Sequence, residues 1–362
     1  VLRNNILMQI NLLFKKQSMS LKNLNVKNKI PNSFKTKLQN RRVKNIFKKF
    51  ENSFKPDSNF IVGVSGGADS LALAFLSKLY AFKNNLNPKF YIVNHKLRQN
   101  STKEAYEVKK ILRSFKIHSE ILTWKGKKPL NKIQSSAREK RYSLLFSKCK
   151  KFKIHNLVVG HHIDDLFENF FLRMLRGSGL KGLVSLGEET KIANIKLLRP
   201  LIKFDKKDLI YISKFVFNFY VDDLSNYNTK FNRIKIRNMI QELSSIGFDK
   251  KKFQLTIENL KRSDQTIRFY VEKNKKINSV VGQKKDELIL KENFFDNSYE
   301  VVFRSLSDLI HSIGKKYNPA RGKKIDNIMS KMKKKTLFKE TLGGCVIKMV
   351  NHTVILSKET QK

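Results

Sequence analysis

Apolar residues gather in four short, β-rich segments, 60–64, 90–93, 117–124 and 156–159. Each precedes a stretch whose apolar positions recur at three- and four-residue intervals: 71–80, 104–115, 135–148 and 163–176. Strand-length runs alternating with helix-period segments are the pattern of βαβ units. The expected fold is therefore α/β, a Rossmann-like doubly wound parallel sheet. Such sheets bind ligands where loops leave the carboxyl ends of strands, so the loops after these four segments are where chemistry is expected.

The alternation stops near residue 240. Residues 241–280 and 300–335 are polar, Lys-rich and helix-like, and Gly343-Gly344 sets them apart from 345–356, which reads as a terminal strand or hairpin. The expected organisation is a basic N-terminal extension (1–42), an α/β domain (43–240) and a smaller, mostly helical basic region (241–362). Residues 1–50 hold 13 basic residues and no acid. That stretch does not read as a secretory signal: its longest apolar run, 6–14, is interrupted by Gln9 and Asn11. The chain opens on Val, which leaves Met19 open as an alternative start.

Charge sharpens the picture. Lys and Arg number 75 against 30 Asp and Glu, a formal net charge of +45, while hydrophobic residues make up 40%. A folded polycation suits a polyanionic partner such as nucleic acid. No apolar run reaches the roughly 18–20 residues of a membrane span, and no membrane association is expected. Two cysteines, Cys149 and Cys345, exclude a disulfide scaffold and a Cys-built zinc site. They fit a reducing cytoplasm, and the basic start of the chain leaves an organellar matrix open.

The loop after the first segment is Ser65-Gly66-Gly67-Ala68-Asp69-Ser70, opening directly into a helix-period stretch. Glycines let a backbone approach an anion, and the first N–H groups of a helix carry partial positive charge. The hydroxyls can donate to phosphate, and Asp69 beside a polyphosphate implies a bridging Mg²⁺. Neither GxxxxGK[ST] nor GxGxxG occurs in the chain. After the fourth segment come His161-His162-Ile163-Asp164-Asp165 and Glu168. Asp164 and Asp165 each share a helix face with Glu168. These carboxylates suit either Mg²⁺ or an ammonium group, while adjacent histidines on a turn make a poor zinc site. Arg233 and Arg237, four apart, suit presentation of two guanidiniums to phosphate.

SGGADS resembles the SGGxDS loop of the PP-loop (N-type) ATP pyrophosphatases. The ordered set that follows resembles one branch of them, the tRNA(Ile)-lysidine synthases. It comprises VNHKLR (93–98), ARxxRY (137–142), GHHIDDLFE (160–168), LRGSGL (175–180), RPL (199–201), DDLSN (222–226) and FxRxxIR (231–237). A weaker echo continues through Arg321-Gly322 and Thr341-Leu342-Gly343-Gly344-Cys345. The resemblance implies use of ATP and Mg²⁺ to adenylate O2 of the wobble cytidine (position 34) of a CAU-anticodon tRNA(Ile). Free L-lysine then attacks C2, giving lysidine, AMP and pyrophosphate.

By position it implies that Ser65, Gly66, Gly67, Ala68, Asp69, Ser70, His95 and Arg98 bind ATP, with Asp69 also toward Mg²⁺. It makes Asp69, Asp165, Glu168 and Arg233 catalytic, and puts Arg237, Arg321, Lys323 and Lys324 at the tRNA. Arg138 and Tyr142 could close the nucleotide or tRNA side, or simply pack. Asn94, Leu166 and Asn169 depart from the family pattern of Asp, Gln and Thr. A PP-loop tRNA thiolase and a non-catalytic RNA-binding protein are the alternatives. The oligomeric state is open, a homodimer being one option.

Overall fold

The structure is a computed structural model that describes residues 30–97, 99–126, 133–222, 232–284, 286–316, 320–334, 339–350 and 353–359. The chain divides into two compact units between Ile246 and Gly247.

In the first unit, strands β1 (Phe60–Val64), β2 (Lys89–Asn94), β3 (Ser119–Thr123), β4 (Asn156–Val158), β5 (Glu189–Ile192) and β6 (Ile195–Leu198) form one sheet. The order is β3-β2-β1-β4-β6-β5, parallel except for the β5–β6 hairpin at one edge. Strand alternation explains why both faces are covered. Phe60, Val62, Val64, Phe90 and Ile92 point to one side and Ile61, Tyr91, Leu122, Leu157 and Leu197 to the other, each side joining its own buried cluster. The first side packs against α1 (Asn32–Gln39), α2 (Arg41–Ser53), α3 (Ala68–Asn84) and α4 (Ser101–Ser114). The opposite side takes Leu145 and Cys149 of α5 (Ile133–Phe152). This is the doubly wound sheet expected from the alternation.

Two features differ from expectation. The basic extension is not all extension: from Asn32 it is helical, and Phe34 is fully buried, stacked on Phe75 at 5.1 Å with Phe82 and Phe115 edge-on. The β5–β6 hairpin went unread because its turn, at Ala193 (φ +50°), has no glycine or proline, and β5 is largely exposed.

Four more helices serve the site: α6 (Ile163–Met174), the single turn α7 (Leu180–Leu183), α8 (Lys206–Phe217) and α9 (Asn232–Ser245). The Ser213 hydroxyl on α8 donates to the Ala68 carbonyl at 2.7 Å, tying α8 to the first turn of α3.

In the second unit helix predominates: α10 (Lys250–Asn278), α11 (Tyr299–Gly314) and α12 (Gly322–Lys333). The expected terminal hairpin belongs to a larger antiparallel sheet, β7-β8-β11-β10-β9. Its strands are β7 (Ser279–Val281), β8 (Glu287–Leu290), β9 (Lys339–Leu342), β10 (Cys345–Val350) and β11 (Thr353–Lys358). Gly343 and Gly344, both at positive φ, make the two-residue turn that a tight hairpin requires. Arg304 on α11 is buried against Asp264 on α10 at 2.6 Å. Among the described residues no helix is long and apolar enough to cross a membrane.

Candidate active site

The loop leaving β1 is organised by one hydroxyl. Ser70 Oγ accepts from the amides of Ser65 (3.1 Å) and Gly66 (3.0 Å) and donates to the Gly67 carbonyl (2.9 Å). Ser65 Oγ donates to it at 3.2 Å. Ser70 is buried and holds the loop closed, its hydroxyl proton directed to the Gly67 carbonyl. Gly66 is required twice over: its φ is +91°, and a Cβ there would lie 2.7 Å from Val108. Gly67 caps α3 in extended conformation, leaving the Ala68 and Asp69 amides at the open end of the helix.

The loop leaving β4 is pressed against this turn. A Cβ on Gly160 would come within 3.2 Å of the Asp69 carbonyl and 3.4 Å of the Ser70 Cα, so glycine allows the approach. His162, almost fully buried, then caps α6: its Nδ1 accepts the Asp164 amide at 3.3 Å, and its own amide donates to Asp165 Oδ2 at 3.0 Å. With Nδ1 accepting, the proton of the neutral ring belongs on Nε2. That atom lies 3.5 Å from Asp69 Oδ2 and 3.7 Å from Asp165 Oδ2. One imidazole thus faces the two carboxylates on which the sequence pointed to chemistry.

Burial pushes the pKa of Asp69 up; His162 and Lys206 oppose the rise, Asp165 adds to it, and Arg237 opposes it. Asp69 Oδ1 is buried without a hydrogen-bond partner. One turn into α6, Glu168 is buried and accepts a hydrogen bond from Arg237 Nε on α9. Burial works against the charged guanidinium, but Glu168, Asp165 and Asp164 together raise its pKa. Arg237, expected at phosphate, therefore has a carboxylate as its first partner. Leu166 is buried and Asn169 donates to the Ser185 hydroxyl at 3.4 Å.

At the end of β2, Asn94 is buried, accepting from the Lys96 amide and donating to Thr102 Oγ1, each at 3.0 Å. It shapes the turn, a task that needs no charge. His95 accepts from Arg141 Nε at 3.3 Å; burial, with the Arg141 charge, lowers its pKa to about 4. Its Nδ1 is buried and unpartnered. Arg138 stands 5.2 Å over the Tyr142 ring. Arg199 is buried, donating to the Gly187 carbonyl (3.0 Å) and Thr190 Oγ1 (2.8 Å).

Arg98 and the Arg233 side chain lie outside the described residues. Arg321, Lys323 and Lys324 are exposed at the start of α12 in the second unit.

The PP-loop domain family matches residues 35–243. Curated tRNA(Ile)-lysidine synthases align far beyond that domain. The enzyme of Orientia tsutsugamushi is 30% identical over 319 residues, 85% of this chain and 71% of its own length. Those of Rickettsia akari and Wolbachia pipientis are each 31% identical, covering 84% and 83% of this chain and 70% of their own lengths. The chain belongs to the tRNA(Ile)-lysidine synthase family. Among solved structures, a U34-tRNA thiolase from Methanococcus maripaludis with a [4Fe-4S] cluster shares the fold. Its TM-score is 0.52 at 18% identity, covering 61% of this chain and 78% of that one.

This lysidine synthase-family chain is an ATP-binding PP-loop enzyme of tRNA modification. Among its described residues no three His, Cys, Asp or Glu side chains are placed to hold a metal alone. Mg²⁺ is usually held by one or two carboxylates plus substrate phosphates. The orphaned Asp69 Oδ1 facing the loop, with Asp165 nearby, fits that mode. Sequence reasoning missed two neighbours. Lys206, at the start of α8, acts on Asp69 electrostatically, and His162 bridges positions 93 residues apart. Lys206 carries no local signal; Gly160 immediately before the histidines was the available hint of close approach.

Proposed function

We propose that this enzyme joins L-lysine to C2 of the wobble cytidine of a CAU-anticodon tRNA(Ile), consuming ATP to AMP and pyrophosphate. One observation carries the reading: the Ser70-closed loop and the Asp69–His162–Asp165 group lie side by side at the carboxyl end of the sheet. Cytosine O2 is a poor leaving group. Attack of O2 on the α-phosphorus releases pyrophosphate and leaves a good one; lysine nitrogen then adds at C2, AMP departs with the C–O bond electrons, and the nitrogen loses its protons.

The Ala68 and Asp69 amides, with Lys206, supply positive charge where pyrophosphate separates. Mg²⁺ held by Asp69 and Asp165 would neutralise phosphate charge there. Glu168, held in place by Arg237, offers negative charge to the ammonium of lysine that does not react.

The thiolase alternative needs a reactive thiolate. Burial raises Cys149 to about 11 and Cys345 to about 12, and they sit in the cores of separate units. The test is incubation with ATP, radiolabelled lysine and a CAU tRNA(Ile) transcript, followed by nucleoside analysis. A labelled nucleoside with equimolar AMP is expected. Release of ADP, or AMP formation independent of tRNA, overturns the proposal.

A further inference from the structure

The outer face of α1, α2 and α8 has an arrangement that the catalytic site does not use. Lys37 Nζ donates to the Phe215 carbonyl at 2.8 Å and stands 4.7 Å over the Phe215 ring. Phe215 stacks on Tyr211 at 5.7 Å with planes 6° apart, and the Arg42 guanidinium lies 4.2 Å over Tyr211. Cation, ring, ring and cation thus follow one another along α8. Beside them an open groove of about 550 Å³ is lined by Arg41, Arg42, Asn45, Ile46, Lys49 and Asp208.

Charge is unbalanced here. Helices α1 and α2 carry seven cations and one acid, Glu51. Glu51 is taken by Lys83 at 2.7 Å, and Asp208 by Arg42 at 2.8 Å. Lys49 donates to the Lys203 carbonyl at 2.9 Å and lies 4.5 Å over the Phe204 ring, leaving it without a carboxylate among the described residues. The helix that carries the rings starts at the catalytic site: Lys206, its first residue, acts on Asp69, while Asp208, Tyr211 and Phe215 lie on its other side. From Lys206 to Phe215 the helix rises about 14 Å.

We infer that this face is an RNA track: Arg41 and Lys49, beside the Lys37–Phe215–Tyr211–Arg42 ladder, take phosphates of the tRNA arm whose loop enters the catalytic site. The inference rests on the proposed tRNA substrate. Phosphate contacts position a nucleic acid without reading its sequence, which suits a flank leading to a base-specific site. Rings flanked by cations present edges and charge rather than an apolar patch, which favours RNA over a lipid surface.

The test is equilibrium binding of tRNA(Ile) transcript to the full chain between 50 and 200 mM salt, by filter retention, so it needs no turnover. R41E/K49E is expected to weaken binding at least tenfold and to flatten the log Kd against log salt slope by about two, one per lost contact. R41Q/K49Q, which keeps side-chain bulk if the reversal fails to fold, should show the same slope change with a smaller loss. K109E/K110E on the exposed face of α4 makes the same charge change and should stay within threefold of wild type. An α4 penalty equal to that of R41E/K49E, or an R41E/K49E effect within threefold, overturns the track. So does wild-type capture by anionic vesicles that R41E/K49E abolishes while tRNA affinity holds. Salt-dependent tRNA binding without lysidine formation would sink the proposed reaction and leave the track standing.

Discussion

Replacing Ser70 by alanine removes one oxygen that serves four groups. The Ser65 and Gly66 amides lose their acceptor, the Gly67 carbonyl its donor, and the Ser65 hydroxyl its partner. Ser65 is exposed, so water replaces its lost bonds; Gly66 is buried, so its amide is stranded. An unsatisfied buried group costs about 1–3 kcal/mol, and with a partial penalty for Gly67 the loss is about 2–3 kcal/mol. For a unit of this size that lowers Tm by about 4–12 °C. Gly66, no longer held at φ +91°, lets the loop relax, and KM for ATP should rise at least tenfold. S65A removes only the bond to Ser70 and should move Tm by less than about 2 °C. Scanning calorimetry and initial rates against ATP concentration read both quantities. S70A with wild-type KM and Tm within about 1 °C, or S65A and S70A falling equally, would refute the hub.

Asp69 has a pKa raised above its unfolded value, so the native state binds more protons in that window and stability falls as pH rises through it. Asp69→Asn should therefore be more stable than wild type to urea at neutral pH, an advantage that shrinks as pH falls toward 4, while lysidine formation is lost. A mutant less stable at pH 7 would contradict the burial argument. His95, lowered to about 4, stays neutral at pH 5–8: in the wild type its ring proton resonance should not titrate above pH 5, and the folding stability gained as pH rises from about 4 through 6.5 should disappear in H95Q. His162→Asn keeps a helix-capping oxygen but does not reach Asp69, so stability to urea should hold within about 1 kcal/mol while kcat falls at least tenfold. Unchanged kcat in H162N would show that capping is all the residue does.

Legibility followed sequence distance. β1, its glycine loop and α3 are contiguous, and the strand was readable to its ends because apolar run, Gly-Gly and helix start all fall between residues 60 and 84. The acidic turn of α6 was equally local. What α6 faces was not: the His162–Asp69 contact exists because β4 pairs with β1 in parallel, a fact of topology. Phe34 was hidden for a different reason. Lysines surround it, and only the tertiary cluster of Phe75, Phe82 and Phe115 shows that a basic segment buries one ring. In the sequence a hydroxyl beside two glycines, such as Ser70, looks identical whether it faces phosphate or its own loop; hydrogen-bond geometry separates the two.

Three of the unsatisfied polar atoms share one rim of the sheet. Asp69 Oδ1, His95 Nδ1 and Arg199 Nε are buried without partners, and they stand at the carboxyl ends of β1, β2 and β6. Each costs stability that folding alone would not spend, since a buried polar group without a hydrogen bond is unfavourable by some 1–3 kcal/mol. Away from that rim Asn156 and Ser213 have their bonds, while Ser77 Oγ and Ser119 Oγ, small neutral hydroxyls, are also unpartnered. An acceptor, an imidazole nitrogen and a guanidinium nitrogen left unmatched on one rim are what a ligand carrying both charge and hydrogen-bonding groups would complete. ATP with Mg²⁺ should therefore stabilise the wild type by more than it stabilises Asp69→Asn, because a carboxylate oxygen is completed by a cation that it shares with phosphate.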